Sequence, residues 1–136
     1  MQISNVEVTV PAGQYVLGDP CYAVPDEHWL PLLETCDYFR NPIGTVKAGS
    51  RVFKVLGFGT RWGDGCYAGS NGKEYPVDAG LIGLVPIELV DNVSDHYDNI
   101  VTFNRDTVCR ADEDGKLHFG SIMIDTDPDE GDENDW

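Results

Sequence analysis

Arg61-Trp62-Gly63-Asp64-Gly65-Cys66-Tyr67-Ala68-Gly69-Ser70-Asn71-Gly72-Lys73-Glu74-Tyr75-Pro76-Val77-Asp78-Ala79-Gly80-Leu81-Ile82-Gly83 reads as a β-hairpin with its turn spelled out. Asn71-Gly72 is the pair that a two-residue type I′ loop demands, because both central residues need positive φ. That turn predicts a register in which Ser70 faces Lys73, Ala68 faces Tyr75, Cys66 faces Val77 and Asp64 faces Ala79. Trp62 and Leu81 share that side, which is largely apolar and is the expected core face. The other side carries Gly63, Gly65, Tyr67 and Gly69 opposite Gly80, Asp78, Pro76 and Glu74. There Asp78 has Gly65 across from it, Gly80 two residues along and Tyr67 on the diagonal. A carboxylate ringed by glycines leaves room for a ligand on the sheet. The plainer alternative is that these glycines are bulges and bends in a strongly twisted ribbon.

Pro76 narrows the surroundings of this ribbon. In the predicted register it occupies a non-hydrogen-bonded pair with Tyr67, so the side lacking an N–H points away from the first strand. The segment 74–77 is therefore expected at a sheet edge or a bulge.

Outside the ribbon the chain alternates short apolar runs with turn residues. Val6, Val8 and Val10 lie on one face of a first strand that ends at Pro11-Ala12-Gly13, and Gln14-Tyr15-Val16-Leu17 forms a second. Asp19 precedes a proline and is expected to be extended. Pro25-Asp26-Glu27-His28-Trp29 has the proline and acids of a helix start. Pro31 is expected to interrupt that helix, with a second start through Leu32-Leu33-Glu34-Thr35 and with Trp29, Leu30 and Leu33 buried. Residues 37–50 read as loop, and Arg51 to Phe58 as a strand. Leu84 to Val90 continues the ribbon and then makes one helical turn. Ile100 to Phe103 is a strand. Thr107 to Ala111 and Lys116 to Phe119 form a hairpin about Asp114-Gly115, with Ser121 to Ile124 extending the return strand. The sum is a mainly β fold: a small antiparallel barrel or sandwich of about seven strands, with one short helical insertion after the second.

Composition sets the outer bounds. The 136 residues suffice for one domain with a real core, expected over 1–124. The net charge of −15 is uneven: Asp125 to Trp136 holds seven acids and no base, leaving 17 acids against 9 bases upstream. Residues 125–136 are expected to form a flexible acidic tail. Asp125, Asp127 and Asp129 alternate as in a calcium loop, but Pro128 intrudes and Gly131 comes one place late. Such acidity argues against direct binding of nucleic acid. It fits solubility, or mimicry of nucleic acid toward a basic protein. Cys21, Cys36, Cys66 and Cys109 contain no C-x-x-C pair, so free thiols and no metal centre are expected. Met1-Gln2-Ile3-Ser4-Asn5 has neither the basic nor the apolar region of a signal peptide, and no run reaches membrane-spanning length. A cytoplasmic, non-membrane location follows as an expectation.

Gly18-Asp19-Pro20-Cys21-Tyr22 and Gly63-Asp64-Gly65-Cys66-Tyr67 share the pattern G-D-x-C-Y. Two strand ends bearing it can bring Asp19 together with Asp64 or Asp78. Paired carboxylates could share a proton, hold a divalent ion or orient a hydroxyl-rich ligand. The alternative is local: each aspartate caps backbone N–H groups of its own turn. At these residues the chain resembles a poorly characterised family of small phage and prophage proteins. The resemblance rests on Val16 to Tyr22, the Trp29 helix, Gly63 to Tyr67 and Tyr75-Pro76-Val77-Asp78-Ala79-Gly80-Leu81-Ile82-Gly83, and spans residues 13–90. It implies a phage setting, with the host cell cytoplasm as the compartment, and carries no established chemistry.

Three functions stay open on the residues. In the first, a nucleotide-like small molecule binds to Asp19, Tyr22, Arg61, Asp64, Tyr67, Tyr75 and Asp78, without a cofactor. In a phage setting this would sequester a host nucleotide immune signal as counter-defence. An anionic ligand then needs local compensation of the chain's acidity, for which Arg51, Arg61 and Lys73 are the candidates. In the second, Asp19 and Asp78 act as the acid and base of a nucleotide or phosphodiester hydrolase. No H-x-[ST] pair, H-E-x-x-H, G-x-S-x-G or P-loop supports it, and His28, His96 and His118 are isolated. In the third, the acidic surface and Trp136 occupy a basic site on a host protein. Ligand identity and any oligomer are left open by the sequence.

Overall fold

The alternation Val6-Glu7-Val8-Thr9-Val10 is what a strand with one buried face requires, and the computed structural model, which describes residues 6–60, 63, 65–90 and 93–126, places it as β1 (Val6–Val10) with its valines packed inward. β1 joins β9 (Thr107–Ala111), β10 (Lys116–Phe119) and β11 (Ile122–Asp125) in a sheet of order β1-β9-β10-β11. A second sheet has the order β3-β4-β7-β2-β8. Its strands are β2 (Gly13–Gly18), β3 (Ile43–Ala48), β4 (Arg51–Gly59), β7 (Leu81–Pro86) and β8 (Ile100–Phe103). The ribbon of β5 (Gly65–Ala68) and β6 (Glu74–Val77) closes one side, through a bridge from Gly69 to Ile124. Every strand pairing is antiparallel.

The two sheets face each other across a core that includes Leu17, Leu56, Ile82, Leu84, Leu117, Phe119 and Ile124. Full burial of each such side chain contributes about 1.5–3 kcal/mol. The outer face of the second sheet is covered as well, by α1 (Pro20–Ala23) and α2 (Asp26–Thr35), over Val16, Val46, Val55 and Val85. Burial on both faces explains why Leu81-Ile82-Gly83-Leu84-Val85 is an unbroken apolar run rather than an alternating one. The mainly β sandwich with a helical insertion after the second strand is thus the observed architecture.

Several local expectations are corrected. The chain has eleven described strands rather than about seven, because three segments divide differently. Gly120-Ser121 turns the chain, so β11 folds back on β10 instead of extending it. Residues 78–80 separate β6 from β7, which enters the second sheet. The stretch read as loop over 37–50 contains β3, whose period-2 pattern is masked by Gly44 and Lys47. Its outer edge is blunted by Thr35, whose hydroxyl accepts from the Thr45 N–H at 2.9 Å. α2 runs unbroken through Pro31. Pro31 and Glu27 are both exposed, so the Glu27 carbonyl deprived of its donor faces water. The buried member is Leu32, packed where Gly44 lacks a side chain, while Leu30 is exposed and Trp29 and Leu33 are half-buried. Finally, Asp125 ends β11 and Thr126 is fully buried, so the fold reaches past the expected boundary at 124; residues 127–136 lie outside the described residues.

After α2 the backbone makes an uncommon left-handed turn. Asp37, Tyr38 and Phe39 have φ of 53°, 58° and 63°. Such a conformation costs an L-residue roughly 1–2 kcal/mol. Three backbone hydrogen bonds hold the turn, Tyr38 N–H to Leu33 C=O at 2.8 Å, Arg40 N–H to Asp37 C=O at 3.2 Å and Asn41 N–H to Cys36 C=O at 3.1 Å. Phe39 is buried against Gly57, whose missing Cβ would stand 2.8 Å from the ring. The Tyr38 side chain is exposed and contributes little to the core. Tyr38→Gly is therefore expected to raise stability by about 1 kcal/mol, read as a higher urea midpoint at unchanged m-value.

Candidate functional site

The ribbon that decides the fold differs from its predicted register by one residue. Gly65 pairs with Val77, Cys66 with Pro76, Tyr67 with Tyr75 and Ala68 with Glu74. The loop has three residues rather than two. Gly69 N–H bonds Lys73 C=O at 2.8 Å, Gly72 N–H bonds Gly69 C=O at 3.1 Å, and Gly72 has φ +84°. This is a type I turn closed by a left-handed glycine, the other loop that Asn-Gly serves well. A one-residue slip exchanges faces. Tyr67 thus joins Tyr75 and Val77 in the core, while Cys66, Ala68, Glu74 and Pro76 face outward. Pro76 keeps its predicted place in a non-hydrogen-bonded pair at an edge, with Cys66 instead of Tyr67 as its partner.

The expected floor of glycines around Asp78 and Tyr67 is dissolved by this shift. Tyr67 is buried and donates its hydroxyl to Gly63 C=O at 3.0 Å; Asp78 is exposed on the other side. Tyr75 is buried too, and its oxygen accepts from Asn71 Nδ2 at 2.9 Å. Lys73 donates to the Asp98 carbonyl. Arg61 and Asp64 lie outside the described residues.

Asp19 and Asp78 do meet, but through the backbone. Asp19 has the extended φ and ψ (−70°, 120°) imposed by the following proline and is the N-cap of α1. One carboxylate oxygen accepts from Cys21 N–H at 3.0 Å. The other accepts from Asp78 N–H at 2.8 Å and Ala79 N–H at 2.7 Å. With the residue 2% exposed, the carboxylate is committed to three backbone donors. It ties the start of α1 to the 78–80 link between β6 and β7. Burial, and then the Asp19 carboxylate, push the Cys21 thiol up to about 12, which leaves almost no thiolate at neutral pH. The Tyr22 phenol is likewise raised to about 12, by desolvation first and then by the neighbouring Asp78 carboxylate. Tyr22, Asp26, Asp95 and His96 border a small cavity of about 250 Å³ there.

A different cavity, of about 440 Å³, opens where β7 leaves β4. One wall is the β1–β2 turn, fixed by the Tyr15 hydroxyl donating to Pro11 C=O at 2.7 Å. Ile43, Leu56 and Leu84 form the apolar floor, and Arg51, Val52 and Lys54 of β4 face Pro86 and Glu88 across the opening. The volume lies in the range of small-molecule sites. Arg51 projects on the Phe53 face of β4, its guanidinium 4.7 Å from the centre of that ring, and Lys54 projects on the opposite, Leu56 face. A chain of net charge −15 has thus placed two of its nine bases at one cavity. A third cavity, about 450 Å³ between 101–107 and 120–122, carries the single base Arg105.

Among the described residues, the predicted ligand contacts fall into two groups, Asp19 with Tyr22 and Asp78 at the start of α1, and Tyr67 paired with Tyr75 in the core; none of these lines the 440 Å³ cavity. Arg51 was legible as a compensating charge. Val52, Lys54 and Pro86 were not; Pro86 still pairs with Tyr15 of β2, and it is the ladder to β4 that ends before it. Among the described residues, no three of His, Cys, Asp and Glu are grouped to hold a metal ion, and no helix is long and apolar enough to cross a membrane. Comparison with protein-family models, with curated proteins and with solved structures finds no match.

Proposed function

We propose that this chain is a binding protein for a small anionic, nucleotide-like ligand, held in the cavity between β4 and the β1–β2 turn. The single observation that carries the reading is that Arg51 and Lys54, from opposite faces of β4, both line a 440 Å³ opening of an otherwise acidic protein. Cations at such a mouth attract and orient an anion that the rest of the surface repels. The apolar floor of Ile43, Leu56 and Leu84 suits the uncharged part of the same molecule.

Retention of the ligand, not turnover, fits the groups present. Among the described residues Glu88 is the one carboxylate lining this cavity, and Asp19, of the carboxylate pair that hydrolysis would need, is elsewhere and occupied by backbone donors. The resemblance to phage proteins supplies a setting in which sequestering a host nucleotide signal is useful. Capture of a basic host protein by the acidic surface is the other outcome to be tested.

The test is calorimetric titration of the full chain with adenosine diphosphate, guanosine diphosphate and pyrophosphate, repeated at increasing salt. Binding that weakens with salt, and falls at least tenfold in Arg51→Glu/Lys54→Glu while the circular dichroism is unchanged, is the expected result. Equal binding by the double variant, or no binding of any of the three, would overturn the proposal.

A further inference from the structure

Hydrogen-bond direction along β4 alternates, and its sense can be read from two bonds. Gly57 N–H goes to Pro42 C=O on the β3 side, and Thr60 N–H goes to Gly80 C=O on the β7 side. In an antiparallel strand the N–H and C=O of one residue point the same way and those of the next point oppositely. Odd residues of β4 therefore face β3, and Val52, Lys54 and Leu56 face the β7 side. The β4–β7 ladder runs from Gly59↔Leu81 to Leu56↔Leu84 and stops there. Continued by two residues, it would set Lys54 against Pro86, which has no N–H to return to the Lys54 carbonyl. Two further on, the chain has already turned into the 3-10 turn Ile87–Leu89. Both backbone groups of Val52 and the carbonyl of Lys54 are thus turned toward the cavity, with no partner strand among the described residues.

We infer that this open backbone edge, at Val52 and the Lys54 carbonyl, is the element that recognises the uncharged part of the ligand, and that this part is a nucleobase. The inference rests on the reading of the cavity as an anion site and goes one step further. A strand edge offers an N–H donor beside C=O acceptors in one plane. That matches a heterocycle edge carrying an acceptor beside an exocyclic amine or ring N–H. With no neighbouring strand to take them, these backbone groups are free to bond a ligand edge that enters the cavity. The Val52 side chain, 58% exposed, and Pro86 lie beside that plane as flat apolar walls. Arg51 and Lys54, which line the cavity from opposite faces of β4, are the cations available there to the phosphates. A short acidic peptide, adding as a strand to the same edge, is the competing occupant. It is disfavoured because, of the five residues 51–55 that β7 leaves uncovered, only Val52 and Lys54 turn their backbone groups to that side, so an added strand would gain few ladder bonds.

The test uses amide NMR of the full-length protein with adenosine diphosphate, guanosine diphosphate, pyrophosphate and a five-residue acidic peptide as probes. The expected result is a downfield shift and slowed exchange of the Val52 amide with one diphosphate nucleoside and not with pyrophosphate. Val52→Pro removes only the donor that faces the cavity, and proline is tolerated at such an unpaired edge. It is expected to lose at least tenfold in affinity for that nucleotide, keep its affinity for pyrophosphate and keep its thermal midpoint within a few degrees. If all the phosphates perturb Arg51 and Lys54 but Val52 does not distinguish nucleotide from pyrophosphate, the base-reading edge is wrong and the anion site stands. If no phosphate perturbs Arg51 or Lys54, the underlying proposal fails. A Val52 amide that answers only to the peptide overturns the nucleobase in favour of strand addition.

Discussion

Gly83→Ala is expected to lose about 4 kcal/mol or more of folding stability, most of what a domain of this size commonly has. A Cβ on Gly83 would stand 1.8 Å from the Leu56 carbonyl oxygen, 2.6 Å from its carbon and 2.8 Å from Gly57 Cα. All three are backbone atoms, so no side chain can swing aside. Relief requires β7 to move away from β4, breaking the pairs Gly57↔Gly83 and Phe58↔Ile82 in a sheet that is covered on both faces. Gly83 also pairs with Gly18 on β2, so Gly18, Gly83 and Gly57 lie side by side across the middle of the sheet, and Phe39 rests on Gly57. Close backbone approach there lets the helical layer and Phe39 sit down on the strands. Overpacking of a side-chain core commonly costs 1–3 kcal/mol; overlap with backbone exceeds that. Gly49→Ala is the control: its φ is +65° with nothing within 4 Å of the added atom, so about 1 kcal/mol is expected from backbone strain alone. Urea midpoints measure both. A Gly83→Ala protein within 1 kcal/mol of the parent would mean that the strands are not held this close.

The same three glycines show what the sequence exposes and what it withholds. The strands over 6–10, 13–18, 51–59 and 107–111 were legible, because their apolar residues recur at the spacing a pleated, buried face requires. So was the edge position of Pro76, since a missing N–H has local consequences that any register preserves. The register itself was not. Asn71-Gly72 serves a two-residue loop and a three-residue loop alike, and the difference of one residue decides whether Tyr67 lines a pocket or fills the core. Gly18, Gly57 and Gly83 lie far apart in the chain, and nothing local says that they become neighbours. The candidate site was hidden for the same reason. Arg51 was visible as a base, but the opening beside it and Lys54 lies where Pro86 cannot continue a ladder whose other strand begins some thirty residues earlier. G-D-P-C-Y, by contrast, marked a real focal point, though one that organises the fold.

That focal point carries the second large effect. Asp19→Ala is expected to destabilise the protein by about 3–5 kcal/mol, because it strips a partner from three backbone N–H groups that a charged oxygen now satisfies. Two of them, at Asp78 and Ala79, lie 59 and 60 residues away in sequence, so this side chain pins the entry to β7 against the start of α1. Asp19→Asn is expected to recover only part of the loss, about 1–2 kcal/mol of it. Its one oxygen can serve Asp78 and Ala79, but the amide NH₂ that remains would point donor against donor at the Cys21 N–H. Hydrogen exchange separates this role from a chemical one. In Asp19→Ala the amides of Asp78 and Ala79 are expected to exchange much faster, and Cys21 to become open to alkylation as its N-terminal turn frays. In Tyr22→Phe, which touches the neighbouring exposed ring and leaves the carboxylate in place, both amides are expected to stay protected. If the Asp19→Ala protein kept its urea midpoint and those two amides stayed slow, the carboxylate would not be the tie between α1 and β7, and its burial would call for an active-site explanation instead.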